Sequence, residues 1–256
     1  MTYVPLNRAI EALSIHPGDI VYIGSDIRPL MFSCMRNGEE FLPEILIDSL
    51  MERVTSSGTL LFPVFNWDFC GGKVFDYKHT PGMTGSLGNS ALAFPGFGRT
   101  RHPIYSFAVW GKQKEHLCGL DNTRAFGPGS PFQFLHDENA KNLSFGVEWY
   151  MTFTFLHHIE QISGKCTYRF HKNFTAPYVD GSGVCESRTY SMFVRDLRWV
   201  ANPDGLRRLA EGRYIPERIF QNDVSFQLGD FRSIVPLVME ELDTNGGRML
   251  ITPSPA

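Results

Sequence analysis

The stretch between Gly146 and Glu160 holds the densest set of groups able to move a proton. His157 and Glu160 stand at i and i+3, so on a helix they share a face. An imidazole held by a carboxylate is a competent general base near neutral pH. The carboxylate fixes the tautomer and stabilises the cation that forms. Thr154 lies one turn earlier on that face. His158 is adjacent, but on a helix it points about 100° away, toward packing or surface. The same spacing suits a buried helix whose His and Glu simply satisfy each other, and this stretch alone leaves both readings open.

Such groups need elements to position them. An apolar strand from Leu143 to Val147 leads in, and the residues after it read as a helix. Upstream, helical spacing runs from Leu6 to Leu13, and Pro17-Gly18-Asp19 is a turn before a buried strand, Ile20 to Ile23. That strand empties into the polar turn Gly24-Ser25-Asp26-Ile27, whose backbone N–H groups suit phosphate or pantetheine oxygens, although a plain turn has the same composition. An amphipathic helix follows from Glu40 to Arg53, then a second buried strand from Thr59 to Phe65. Strand, helix, strand with short turns implies a parallel pair and a right-handed crossover.

Residues 66–98 are rich in Gly, Pro and aromatics with little periodicity, and a loop of this length in a compact fold is usually functional. Further strands are expected at Ile104–Trp110 and Thr189–Leu197, and a last short one at Arg248–Ile251. Helices are expected at Phe132–Leu135, after the turn Gly127 to Pro131, and at Asp204–Glu211 and Ile234–Leu242.

Composition narrows the classes. The 256 residues are 43% hydrophobic and 20% charged, which excludes wholesale disorder. A net charge of −3 argues against a nucleic-acid partner held by phosphate contacts. The 21 Phe residues point to aromatic packing or an aromatic-lined cleft. Cys34, Cys70, Cys118, Cys166 and Cys185 form no C-x-x-C pair, which fits free thiols in a reducing cytoplasm. No basic run followed by an apolar core opens the chain, and no apolar run is long enough for a bilayer, so neither a signal peptide nor a membrane partner is expected.

Taken in order, these motifs resemble the aminoglycoside 3-N-acetyltransferase family, the antibiotic N-acetyltransferase fold. The resemblance rests on Gly18-Asp19, on Ser25, and on the strand Gly58-Thr59-Leu60-Leu61-Phe62-Pro63. It continues through Phe75-Asp76, Thr80-Pro81 and Gly85-Ser86-Leu87. Arg99 through His102-Pro103 to Ser106, then Gly127 to Ser130-Pro131, and finally Thr154, His157 and Glu160 complete it. It covers most of residues 6–175 and, more loosely, the remainder.

What this implies is a single domain over residues 1–256. The implied class is α/β: a three-layer α/β/α fold with a central mixed, largely parallel sheet and a helical C-terminal part. The implied activity is acetyl transfer from acetyl-CoA to an amine of an amino sugar, by direct attack in a ternary complex, as in antibiotic resistance. The family's catalytic histidine falls on His157, with Glu160 and Thr154 beside it. Ser25, Asp26 and Ile27 match its CoA-binding turn, and His102 and Ser106 match positions lining the same cleft. Asp76, Asn89, Glu148 and Arg169 are the candidate substrate contacts, and a homodimer is left open.

Two departures bear on the substrate. Asn89 stands where many resistance enzymes carry Glu, and Asp26 where a second Ser is common. The basic-aromatic run Tyr168-Arg169-Phe170-His171-Lys172 is ill-suited to a polycation and favours a phosphate-bearing amino sugar, nucleotide-linked or lipid-linked, as in surface polysaccharide biosynthesis. Three other readings compete. One is a metal-dependent hydrolase using His157, His158 and Glu160. Another is a non-catalytic carbohydrate-binding relative. The third is covalent transfer through a cysteine, though no motif pairs one with a histidine.

Overall fold

The computed structural model describes residues 3–255. Its elements are β1 (Ile20–Ser25), α1 (Arg28–Arg36), α2 (Pro43–Val54), β2 (Thr59–Pro63), β3 (Phe75–Asp76), α3 (Ser86–Ala93), β4 (Gly98–Arg99) and β5 (Phe107–Gly111). There follow α4 (Lys114–Gly119), α5 (Pro131–Asp137), β6 (Lys141–Phe145), α6 (Leu156–Ile162), β7 (Arg169–Val179) and β8 (Cys185–Arg195). The chain ends with β9 (Trp199–Ala201), α7 (Pro203–Ala210), β10 (Glu217–Gln221), β11 (Val224–Asp230), α8 (Phe231–Asn245) and β12 (Ile251–Pro253).

Seven strands form the central sheet in the order β10-β11-β6-β1-β2-β5-β4. It is mixed. At its centre β1 runs parallel to both β2 and β6, and the flanking pairs are antiparallel. The class is α/β, with helices on both faces. Strand periodicity sends alternate side chains of β1 to opposite sides. Tyr22 enters a core with Phe107, Phe132, Ile159 and Phe231, under α5, α6 and α8. Val21 and Ile23 enter a second core with Leu30, Leu46, Leu50 and Leu87, under α1, α2 and α3. On α2 the residues Leu46, Ile47, Leu50 and Val54 are each 0% exposed. Each such side chain contributes about 1.5–3 kcal/mol by leaving water.

β7 and β8 form a long hairpin outside the main sheet, joined by β3. The turn Asp180-Gly181-Ser182-Gly183 closes it, with the Asp180 carboxylate accepting from the Ser182 and Val184 N–H groups. Tyr190 and Phe193 of β8 join the first core, and Tyr168, just before β7, reaches Glu160 of α6.

The sequence-based elements shift in instructive places. The expected N-terminal helix is a short 3-10 turn, Leu6–Arg8. Helix α1, opened by Pro29 in its first turn, occupies residues to which the sequence reading assigned no element. The expected loop 66–98 contains β3 and α3. The expected helix after Gly146 begins only at Leu156. Trp149, Phe153 and Phe155 explain the delay: all three are buried, Phe155 stacks on Phe231 at 4.2 Å, and Trp149 meets Tyr214 at 5.0 Å. Phe153 and Phe155, two residues apart, could not share a helix face, so tertiary packing sets the backbone here. The C-terminal part carries α7 and α8 as expected, and also the hairpin β10–β11 that extends the main sheet.

Candidate active site

The start of α6 sends residues into two spaces. Thr154, whose carbonyl accepts the His157 N–H at 3.0 Å, lines a slot of about 230 Å³ at the ends of β1 and β2. His157 lines a wider cleft of about 790 Å³ between α6 and the β7–β8 hairpin.

His157 Nδ1 lies 2.9 Å from Glu160 Oε2. The Glu160 side chain is 1% exposed and the His157 side chain 24%, so the carboxylate is sealed while the ring reaches the cleft. Glu160 Oε1 accepts the Tyr168 hydroxyl at 2.7 Å. Arg169 Nε pairs with Glu160 Oε2 at 2.6 Å, and its Nη1 donates to the Phe193 carbonyl at 3.1 Å. Arg169 Nη2 stands 3.5 Å from His157 Nε2, and the Phe126 ring meets the imidazole edge-on at 5.8 Å. With Nδ1–H directed to the carboxylate, the Nε2 lone pair faces the cleft.

Burial, then the Arg169 charge, pushes the His157 imidazolium below its ordinary range, against the opposing pull of Glu160. Burial pushes Glu160 up, but the His157 hydrogen bond and the charges beside it outweigh that and hold the carboxyl below its usual range. The pair therefore stands as a neutral imidazole and an ionised carboxylate near neutral pH, which is the form a general base needs.

His158 turns the other way. Its Nδ1 accepts the Gly127 N–H at 3.2 Å and its ring stands against His136, in the last turn of α5. Ser130 caps that helix by accepting the Gln133 N–H, with Pro131 in its first turn. The Gly127-to-Pro131 motif thus seats a helix and holds His158 behind the site.

The slot is lined by Gly24, Ser25, Phe65, Thr84, Thr152 and Thr154 among others. Gly24 lines it, and Gly146 follows the neighbouring strand β6. A Cβ on Gly24 would stand 2.4 Å from Thr152 Oγ1, and one on Gly146, at φ +67°, would stand 2.0 Å from the Asp26 carbonyl. Without those Cβ atoms β1 closes against Thr152, and the end of β6 closes against the Asp26 carbonyl. A narrow channel with hydroxyls along apolar walls suits a pantetheine arm, which alternates methylenes with amides.

The other sequence-derived candidates lie elsewhere. Asp26 is held by Arg28 at 2.5 Å, and Ile27 packs against the second core. His102 and Ser106 are 1% and 0% exposed and line neither space. His102 Nδ1 accepts the Ile104 and Tyr105 N–H groups, and burial pushes its imidazolium down to about 3. Ser106 Oγ accepts from Arg99 Nε and donates to the Val64 carbonyl. Arg99 also donates to the Tyr77 and Thr80 carbonyls, so this motif clasps the 75–81 segment to β5.

Asp76 accepts the Lys78 and His79 N–H groups in a turn. Asn89 bonds the Gly82 N–H and carbonyl, bracing the lead into α3. Glu148 pairs with Arg218 at 2.6 Å. Of the four substrate candidates, the structure brings Arg169 alone to the His157 cleft. Sequence reasoning missed Tyr168 as the carboxylate's partner and Arg195 as a lining residue. The Asp180-to-Gly183 turn, read as a hairpin signal, would have placed Arg195 opposite Arg169.

The comparisons with known proteins agree with this architecture. No curated protein sequence matches the chain. Among solved structures, AAC-IIIb in binary complex with CoASH superposes at TM-score 0.79 with 19% identity, covering 99% of this chain and 100% of that one. Sisomicin-bound AAC-VIa gives TM-score 0.78 at 21% identity, covering 95% and 99%. The YokD protein from Bacillus subtilis gives 0.73 at 16%, covering 95% and 93%. At these identities the likeness establishes the fold. The family model for aminoglycoside 3-N-acetyltransferase matches residues 33–211, well over half the chain and inclusive of His157 and Glu160. With a hydrogen-bonded His-Glu pair set between a narrow slot and an open cleft, the chain belongs to the aminoglycoside 3-N-acetyltransferase family and is an N-acetyltransferase.

Proposed function

We propose that this protein acetylates the amine of an amino sugar that carries negative charge, with His157 as general base. Acetyl-CoA is the co-substrate and supplies the acyl group as a thioester, and aminoglycoside-type amino sugars are the family's acceptors. The observation that carries the finer reading is the charge of the cleft beside His157. Arg169, Lys172 and Arg195 line it, and Asp196 is its one lining carboxylate. That carboxylate is already held by Arg198 at 2.7 Å. A polycationic antibiotic would meet like charge there, whereas a nucleotide-linked or glycan-linked amino sugar would meet complementary charge.

In this reading an ammonium entering the cleft gives one proton to His157 Nε2, and Glu160 stabilises the imidazolium through Nδ1–H. The freed amine then attacks the thioester carbon, the C–S bond breaks, and the departing CoA thiolate takes up the second amine proton to leave as the thiol. Thr154 and Ser25 face the slot assigned to the pantetheine arm. The base and the donor then approach from opposite sides of the first turn of α6. A cysteine nucleophile is disfavoured. Burial pushes the Cys70, Cys118 and Cys166 thiols up to about 11, so they stand protonated near neutral pH. His157 and His158 diverge, which also disfavours their joint ligation of a metal. Free thiols and the use of acetyl-CoA fit a cytoplasmic enzyme, and among the described residues no helix is long and apolar enough to cross a membrane.

The test is release of free CoA thiol with three acceptor sets: aminoglycosides, uncharged amino sugars and nucleotide-linked amino sugars. The expected order of kcat/KM is nucleotide-linked, then uncharged, then aminoglycoside. Robust acetylation of aminoglycosides alone overturns the substrate preference, and no thiol release with any amine overturns the catalytic reading.

A further inference from the structure

Arg169 and Arg195 are direct partners in the β7–β8 ladder, on the strand face that meets α6. Like charges directly opposite each other in a sheet are destabilising. Glu160 answers Arg169 through its Nε. Among the described residues Arg195 has no carboxylate partner, although both arginines line the cleft. Arg169 Nη2 rests 3.5 Å from His157 Nε2, where it crowds the lone pair the base must use. The neighbouring acid, Asp196, is turned to Arg198, and Lys172 lies over the Phe174 ring.

We propose that Arg169 and Arg195 form an oxyanion subsite beside the base, and that a phosphate-type group seated there draws Arg169 Nη2 off His157 Nε2. This rests on the proposed function and deepens it: the subsite takes a phosphate or pyrophosphate, and its occupancy readies the base. The groups facing His157 are Glu160 from α6, Arg169 from β7 and Arg195 from β8. An anion between the two guanidinium groups offsets both positive charges at once, so the imidazole becomes a stronger base when the subsite is filled. The Arg195 guanidinium fork supplies the paired donors that such oxygens need, and Arg169 adds Nη2, its Nε and Nη1 being held by Glu160 and the Phe193 carbonyl.

The probe is inorganic pyrophosphate, titrated by calorimetry into the wild type and Arg195→Gln. The wild type should bind, and the variant should bind at least about tenfold more weakly, the loss of one charge-assisted contact. Unliganded Arg195→Gln should melt no lower than the wild type, because the opposed charges are gone. In parallel, the His157 imidazole, followed by NMR, should titrate at higher pH with pyrophosphate bound. Kinetics assign the source of the oxyanion. A raised KM for the phosphate-bearing amine places it on the acceptor. A raised KM for acetyl-CoA but not for acetyl-pantetheine places it on the donor, and either keeps the subsite. Equal binding by both proteins, or none, with an unmoved His157 titration, overturns it. Pyrophosphate binding through Arg195 in a protein that acetylates no amine keeps the subsite and overturns the transferase reading.

Discussion

His157 is open to the cleft and Glu160 is sealed beneath it, so their substitutions should fail differently. His157→Ala removes the proposed proton acceptor and should lower turnover by about 100-fold or more, the usual scale for a general base. Stability should change little, since the ring is part-exposed. Glu160→Gln leaves the base in place and should cost less in turnover. It also strands Arg169, whose side chain is 8% exposed, without its counter-ion. Removing one partner of such a buried pair costs about 3 kcal/mol. Turnover and urea midpoints measured on both variants should therefore rank in opposite orders. His158→Ala should lower the urea midpoint through the lost Gly127 contact and leave turnover near wild type. A larger turnover loss at His158 than at His157 would move the catalytic role by one residue.

At the scale of elements, the slot depends on how closely β1 approaches residues 149–154. Gly24→Ala places a methyl against Thr152 Oγ1, which also bonds Ser144 Oγ at 3.3 Å. We expect weaker acetyl-CoA binding by calorimetry, with the fold retained. Adding Thr152→Ala should restore much of the affinity, a coupling of about 1 kcal/mol or more between neighbours. Additive effects of the two changes would place the donor elsewhere. The parallel core strands were readable in the sequence because Ile20–Ile23 and Thr59–Phe65 are continuous apolar runs bounded by turns. The His157–Glu160 contact was readable because it is local, within one helical turn. Arg195 was missed, because its place depends on hairpin register over residues 169–195, which follows only once the Asp180-to-Gly183 turn is taken as the hairpin's close. His102 and Ser106 show the opposite limit. Residues of chemical type at motif spacing serve here to satisfy buried backbone, and burial is a tertiary property that spacing does not encode.

Across the whole molecule, two histidines away from the cleft link stability to pH. Burial pushes His102 and His158 down to about 3. Each accepts backbone N–H through Nδ1, so the folded chain keeps these rings neutral. In the unfolded chain both would protonate near 6.5. Between pH 6.5 and 3 the unfolded state therefore binds more protons, and stability falls as pH falls through that window. Above 6.5 the contribution is fully present. At pH 5 each histidine should cost about 2 kcal/mol relative to neutral pH. The carboxyls held below their usual range, such as Glu160, Asp26 and Asp196, push in the same direction only at lower pH, so they leave the 7.5-to-5 interval to histidine. Urea unfolding at pH 7.5, 6.5, 5.5 and 5 should show a steady loss of stability. His102→Asn keeps an acceptor near the Nδ1 position but cannot titrate, so it should remove the His102 share, about 2 kcal/mol at pH 5, whatever its effect at pH 7.5. A midpoint that does not move between pH 7.5 and 5, or an unchanged slope in His102→Asn, would mean that these buried rings find proton acceptors in the folded chain.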